Sequence, residues 1–548
     1  MLLPLTFLAV FFFVPVFNLL SRGFGGESGA DWGGLLTVLT RPRTWRLVRN
    51  TIGQALVGTA ITTALGIPIA YLLYRTRFPG QAVVRALVMV PFVLPTVVVG
   101  VAFRSLLRPG GLLAPGGLLG GLNLDQSFAA VLLALIFFNL SVVVRTVGGL
   151  WQRLDPRQEQ AARALGASPF RAFCTVTIPA LLPAIAAGAA LVALFSATAF
   201  GVVLVLGGTG YGTVETEIYQ RVTVFLDLRG AAVLSILQLV VVAIALTVSQ
   251  HARARSERAV AVARAENAAH RWQLSNRFDL VSALVTTVTV GLLIVAPLLS
   301  LVIRSLQDGT GAWTLANYRA LNTATTGGLI VPVTTALAMS LRTAAIATAL
   351  ALPIGFLLAL VLSRRPRSRS GRRAISGFDA FVMLPLGVSA VTVGFGFLIT
   401  FTRPWFGLDL RTSGLLIPVA QAVVAIPLVV RTLLPVLRAV DPRQRQAAAT
   451  LGASPLRVLR DVDLPLILRP LGTALGFAFA VSLGEFGATS FLARPDAPTL
   501  PVVIFRLLSR PGQANFGMAL AAAVLLGLLT ALVMAAVERL SGTSLFGG

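Results

Sequence analysis

The stretch DPRQEQAARALGASPFRAF, residues 155–173, returns almost unchanged as DPRQRQAAATLGASPLRVL, residues 441–459. These two polar, Arg-rich copies of one phrase sit in a chain of 548 residues that is 56% hydrophobic and 12% charged, with a mean hydropathy of +0.86. Ordinary soluble domains carry about 25% charged residues, so the composition is that of an integral membrane protein. Locally, each copy reads as two short helices meeting at an angle. QEQAARAL is a good helix former, Gly166 supplies the left-handed residue that closes it, and Ser168 is an N-cap with Pro169 at the first position of the next helix. Gly452, Ser454 and Pro455 repeat each of these elements.

Working outward, apolar stretches of the roughly 20 residues needed to cross a bilayer fall near 1–20, 50–74, 81–107, 127–149, 178–206 and 229–250. A second set falls near 278–303, 336–363, 376–401, 414–437, 464–492 and 515–538. Between the sets lies HARARSERAVAVARAENAAHRWQLSNR, residues 251–277, polar and carrying six Arg. The expected fold is therefore all-α and membrane-integral, with about 12 transmembrane helices. They divide into a first half (1–250), a cytoplasmic linker (251–277) and a second half (278–548). The opening segment has no basic n-region and no small-residue cleavage site, so it is expected to stay as the first helix. The repeat extends beyond the quoted phrase. VVRT occurs at 143–146 and at 429–432, Pro91 precedes Gly100 as Pro385 precedes Gly394, and Pro68 matches Pro353. An even number of spans per half gives a parallel repeat about an axis along the membrane normal, with one pathway between the halves.

The 45 basic and 20 acidic residues give a net charge of +25. In a soluble protein that would suggest nucleic acid; here the charges lie between apolar spans and follow the positive-inside rule, so no nucleic-acid partner is expected. RRPRSRSGRR, residues 364–373, belongs on the cytoplasmic side. By alternation the two GAS phrases, the linker and both termini join it. Arg41, Arg43 and Arg46 run against this pattern, on the expected outer side. Every basic residue is Arg, which excludes a phosphate-cradling P-loop, since that motif needs its Lys. Cys174 is alone, and His251 and His270 are the only His. No metal cluster or Cys/His nucleophilic pair can be assembled from them, and no cofactor is expected on this chain.

Gln160-Ala161-Ala162, then Gly166-Ala167-Ser168 and Ile178-Pro179, resembles the EAA loop of ABC importer permeases. Gln446-Ala447-Ala448, Gly452-Ala453-Ser454 and Leu464-Pro465 repeat it. In that family the loop forms a coupling helix inserted into a cleft on the ATP-hydrolysing subunit. The resemblance implies that these residues, with Pro169, Arg171, Pro455 and Arg457, form the ATPase-coupling surface. The family's usual Glu is Gln160 and Gln446 here, while Glu159, one residue earlier, is Arg445 in the second copy. The resemblance further implies a multi-pass prokaryotic inner-membrane permease with no catalytic site of its own. Its partners would be two copies of a separate ATPase carrying ATP and Mg, and an extracytoplasmic solute-binding protein. The alternative, a secondary transporter with two parallel halves, would couple to an ion through buried carboxylates and would not need two GAS-Pro copies.

At the ends of the fifth and eleventh spans SATAFG, residues 196–201, aligns with SLGEFG, residues 482–487. Glu485 therefore stands where its counterpart is Ala199. A carboxylate at membrane depth is expensive and faces a cavity or a partner, which makes Glu485, with Ser482 and Ser196, a candidate for the translocation path. The competing readings are an interhelical hydrogen-bond partner, or a Glu near the helix end that reaches interfacial water. LGEFGAT and GTVETEIYQRV, residues 212–222, look similar to fused permeases for ferric iron and for thiamine. Molybdate and sulfate permeases share the LGEFG stretch but usually come as separate halves. The resemblance favours ferric iron, then thiamine, with an oxyanion as the alternative.

Overall fold

Lipid offers no partner to a backbone N–H or C=O, so apolar stretches fold as helices that satisfy their own polar groups. The computed structural model describes residues 2–541 except 27–28, 109–110, 112–123, 209, 263–269, 274–275, 324–329, 365–367, 403, 405–406, 408 and 412. Among the described residues, 10 helices are long and apolar enough to cross a membrane. Two bent pairs raise the number to 12 if each is one span: Gln81–Phe92 with Thr96–Leu107, bent by 109°, and Arg369–Pro385 with Ala390–Thr400, bent by 84°. The pairs occupy the same place in the two halves. The expected spans 81–107 and 376–401 are thus each broken, and 178–206 and 464–492 also end early, at Ala197 and Gly484. Hydropathy records length and apolarity, and a break built from apolar residues leaves no trace in it.

Among the described residues, four helices contain a widened π turn: Ala9–Phe13, Phe173–Thr177, Thr289–Val295 and Leu459–Asp463. Each ends just ahead of a proline, respectively Pro15, Pro179, Pro297 and Pro465. Proline lacks an N–H and its ring collides with the carbonyl four residues back. An extra residue in the preceding turn moves that carbonyl away, so the helix continues through the proline. The repeat therefore conserves its irregularities along with its spans.

The first helix of each half packs on the other half. Val14–Phe24 lies against Ala390–Thr400, where Asn18 Nδ2 donates to Thr400 Oγ1 at 3.1 Å and Phe11 meets the rings of Phe397 and Phe401. Conversely, Arg277–Val288 packs on Pro42–Arg75 and Ala296–Ser305 on Thr96–Leu107. There Ser105 Oγ donates to Ser300 Oγ at 2.9 Å and Arg304 Nη1 to the Ser105 carbonyl at 2.7 Å.

Leu228–Val262 continues well past the expected end of its span. Of the 251–277 segment, residues 263–269 and 274–275 lie outside the described residues. Beyond the first gap the chain is fastened to the first half. His270–Arg271 pairs in parallel with Thr76–Arg77, and Tyr71 Oη donates to buried Asp279 at 2.8 Å. Tyr71, Trp151, Phe173 and Phe278 form a run of ring contacts with centroids 5.5, 6.0 and 5.6 Å apart. The first repeated phrase therefore rests partly on the second half. Cleaving the chain within 263–269 should leave two fragments that copurify in mild detergent through the exchanged helices; fragments that separate on size exclusion would overturn this packing.

Candidate functional site

In the first repeated phrase the helix Arg157–Ala164 ends in a Schellman turn. The Ala167 N–H reaches the Ala162 carbonyl at 3.1 Å and the Gly166 N–H reaches that of Arg163 at 3.0 Å, with Gly166 at φ +90°. In the second, Ala453 bonds Ala448 at 3.0 Å and Gly452, at φ +81°, bonds Ala449 at 3.0 Å. The left-handed conformation lets the chain reverse while the last carbonyls stay satisfied. Ser168 Oγ then accepts the Arg171 N–H at 3.2 Å, and Ser454 Oγ accepts the Arg457 N–H at 3.4 Å, each starting the next short helix. The two turns are the same object built twice.

Gln160, Ala161, Arg171, Gln446, Ala447 and Arg457 are exposed, and Ala162, Ala167, Ala448 and Ala453 are half-buried. The tips carry residues that residue-by-residue motif matching passes over. Leu165 and Leu451 are 90% and 88% exposed, and Phe170 and Leu456 are 68% and 77% exposed. Large apolar side chains are thus exposed at matching positions of two polar loops. Their signal in the sequence was the recurrence of an apolar residue at those two places.

From each loop a helix leads away, Pro169–Ala197 of 29 residues and Pro455–Gly484 of 30, each about 45 Å long. Beyond their ends Phe200 and Phe486 stack, with centroids 5.5 Å apart and planes at 14°. A residue and its symmetry counterpart touch only near the axis that relates them, so this pair marks the pseudo-twofold axis. Tyr219 packs on Phe200 at 5.4 Å, Phe505 on Phe486 at 5.2 Å, and Tyr219 meets Phe505 at 6.2 Å. The ring of four is completed by equivalent helices, Val214–Thr223 and Leu500–Leu508. It closes the interface between the halves at the end remote from the loops. Nearby, buried Glu215 accepts from Ser389 Oγ of the other half at 2.9 Å.

Glu485 lies next to this closure with its carboxylate turned onto its own loop. Oε1 accepts the Ala488 N–H at 2.7 Å and Oε2 accepts the Thr489 N–H at 2.9 Å together with the Thr489 hydroxyl. The carboxylate thus caps the break after Gly484. Ser196 is buried in the first half, where its hydroxyl accepts from Asn139 and its carbonyl from Gln54. Ser482 is buried, and its hydroxyl has no hydrogen-bond partner among the described residues. Ser482 and Glu485 are joined by the bond from the Glu485 N–H to the Ser482 carbonyl at 3.3 Å, while Asn139 and Gln54, which bond Ser196, belong to the first half. Leaving a buried donor unsatisfied costs about 1–3 kcal/mol. Glu485→Ala orphans two N–H groups and the Thr489 hydroxyl, whereas Thr489→Val removes that hydroxyl and strands only the Gln421 amide, which reaches it at 3.4 Å. Glu485→Ala should therefore lower the thermal unfolding midpoint in detergent clearly more than Thr489→Val, with Glu485→Gln between them because its amide turns one donor toward another. Equal midpoints for Glu485→Ala and the unmodified chain would show that the carboxylate does not hold this loop.

The sequence matches the family described as binding-protein-dependent transport system inner membrane component over residues 62–258 and 351–542. Each match contains one of the two loops. The thiamine transport system permease protein ThiP of Escherichia coli (strain K12) is 29% identical over 505 residues, 91% of this chain and 89% of that protein. ThiP of Brucella abortus (strain 2308) is 28% identical over 504 residues, 90% of this chain and 87% of that protein. The sulfate transport system permease protein CysT of Escherichia coli (strain K12) is 33% identical over 178 residues, 32% of this chain and 64% of that protein. With the family match present twice, one loop in each, and relatives of the same double length, the chain belongs to the binding-protein-dependent ABC importer permeases, as a multi-pass inner-membrane component with both halves on one polypeptide.

Proposed function

We propose that this permease passes thiamine, or an organic cation like it, between its two halves. The observation that carries this reading is the end-to-end similarity to ThiP proteins, which spans 90% or more of the chain. Ferric iron, which the sequence resemblance favoured, draws no support from these relatives, whose names concern thiamine and sulfate. The aromatic closure agrees in chemistry. Ring faces carry negative potential and attract a cationic heteroaromatic ring, whereas a doubly charged oxyanion is repelled by them. Sulfate is the second reading, supported by a match over 178 residues.

In this scheme the two loops face the cytoplasm, and each docks one copy of a separate ATPase that carries ATP and Mg. The solute-binding protein delivers cargo at the opposite face. That the loops and the binding-protein side are opposite agrees with Pro42–Arg75, which begins beside Glu217, paired to Arg43 at 2.8 Å, and ends where Arg75 bonds the Leu154 carbonyl at 3.3 Å. Arg43, out of place by the charge rule, is thus occupied by an ion pair. ATPase closure draws the loops together, the two long helices act as levers, and Phe200 and Phe486 part at their far ends. Ser196, Ser482 and Glu485 border the path, with Glu485 holding the break rather than meeting cargo with its charge.

Proteoliposomes holding the permease, its ATPase and its binding protein should take up labelled thiamine only with ATP inside. Sulfate uptake without thiamine uptake would replace the cation reading by the oxyanion one. The docking assignment has its own check. A β-branched residue at a left-handed position is penalised by about 1–2 kcal/mol or more, so Gly166→Val with Gly452→Val should abolish ATPase retention on an affinity column while the protein still inserts.

A further inference from the structure

Each loop is tied to the base of the helix it leads into, by the same two positions and opposite chemistry. In the first copy Glu159 Oε2 accepts from Thr177 Oγ1 at 3.0 Å. In the second, Arg445 Nε donates to Asp463 Oδ1 at 2.7 Å. Glu159 and Arg445 are equivalent positions on the loop helices Arg157–Ala164 and Pro442–Thr450. Thr177 and Asp463 are equivalent too, each the last residue of the π turn ahead of the Pro. Both acceptor–donor sites are sheltered: Thr177 is 6% and Asp463 1% exposed. Arg445 makes one bond more, from Nη2 to the Leu437 carbonyl at 3.2 Å, which ties in the preceding helix as well.

We propose that these two ties are the positioning contacts through which loop movement is transmitted into the membrane. Between loop helix and long helix lie a glycine reversal and a π turn, whose widened hydrogen-bonding makes it a poor transmitter of displacement. A side-chain tie from the loop helix to the far end of the π turn spans both soft elements and closes them into one rigid body. Identical ATPase subunits thereby act on two unlike transmissions. The second is a desolvated ion pair that cannot lose one partner without stranding the other charge. The first is one hydroxyl–carboxylate hydrogen bond, with the Arg75 charge acting on Glu159 but no salt bridge to it among the described residues, a more yielding contact. The two halves consequently respond unequally to the same stroke.

This inference rests on the reading of the loops as ATPase docking sites, and its test separates the two. The assembled complex in proteoliposomes is assayed for ATPase retention, ATP hydrolysis and thiamine uptake per ATP. R445A should retain the ATPase and hydrolyse ATP, while uptake per ATP falls at least tenfold; E159A should reduce it in the same direction by less. R445E combined with D463T transplants the first copy's tie into the second and should restore uptake per ATP to within about twofold of the original. Loss of ATPase retention in R445A, or unchanged uptake per ATP in both single variants, would overturn the proposal. So would failure of the transplant, which is also the decisive arm if R445A does not assemble. Failure of the unmodified chain to retain any ATPase would instead remove the docking reading itself.

Discussion

The constraint on which the rest depends is that a peptide group in hydrocarbon must find its hydrogen bond within protein. It forbids irregular backbone against lipid and permits it only where another element covers it. The interruptions at 93–95, 198–200, 388–389 and 485–488 obey this. Leu94, Pro95, Phe200, Ser389, Glu485, Phe486 and Ala488 are all buried, and side chains supply what the broken helices lack. Glu485 takes up the free N–H groups of its break, and Ser389 caps Ala390–Thr400 by accepting the Thr392 N–H at 3.1 Å. The breaks in the helices are thus concentrated along the seam between the halves.

The repeat is kept strictly where geometry requires it and relaxed elsewhere. Both copies hold a left-handed glycine, a serine cap, a π turn before proline and a phenylalanine at the axis. Each of those fixes a backbone direction or a contact with its own image. Where a position serves only one side, the copies diverge: Glu485 against Ala199, Glu215 against Pro501, Arg445 against Glu159. The repeat is thus exact in backbone direction and free in side-chain chemistry.

The number of spans, the two halves and the paired loops were legible because they rest on local signals: hydropathy over about 20 residues, a glycine–serine–proline sequence, and self-similarity. The bends and early helix ends were not, since apolar residues form helix and break alike. The exchange of first helices was hidden for another reason: partner choice depends on shape across hundreds of residues of sequence separation. The axis is the instructive case. Attention in the aligned SATAFG and SLGEFG stretches goes to the difference, Glu485 for Ala199, whereas the closure is made by the residue that is the same, Phe200 and Phe486. Glu159 and Arg445 were likewise visible as a mismatch, but their meaning needed Thr177 and Asp463 brought next to them.

The exchange of first helices has a consequence for how the protein is made. Arg277–Ser305 emerges after Pro42–Arg75 and Thr96–Leu107 and finds its seat already in the bilayer. Leu3–Phe24 is made well before its seat on Ala390–Thr400, whose last residue comes 376 positions after Phe24. At about 5–20 residues per second that wait is roughly 20–75 s. During it Phe11, Phe12 and Asn18 face lipid or a temporary neighbour, with the Asn18 amide lacking the Thr400 hydroxyl it is built to meet. Biogenesis is therefore as asymmetric as the finished halves are alike, and Leu3–Phe24 is a helix whose placement has to remain reversible until the bent pair of the second half has been made.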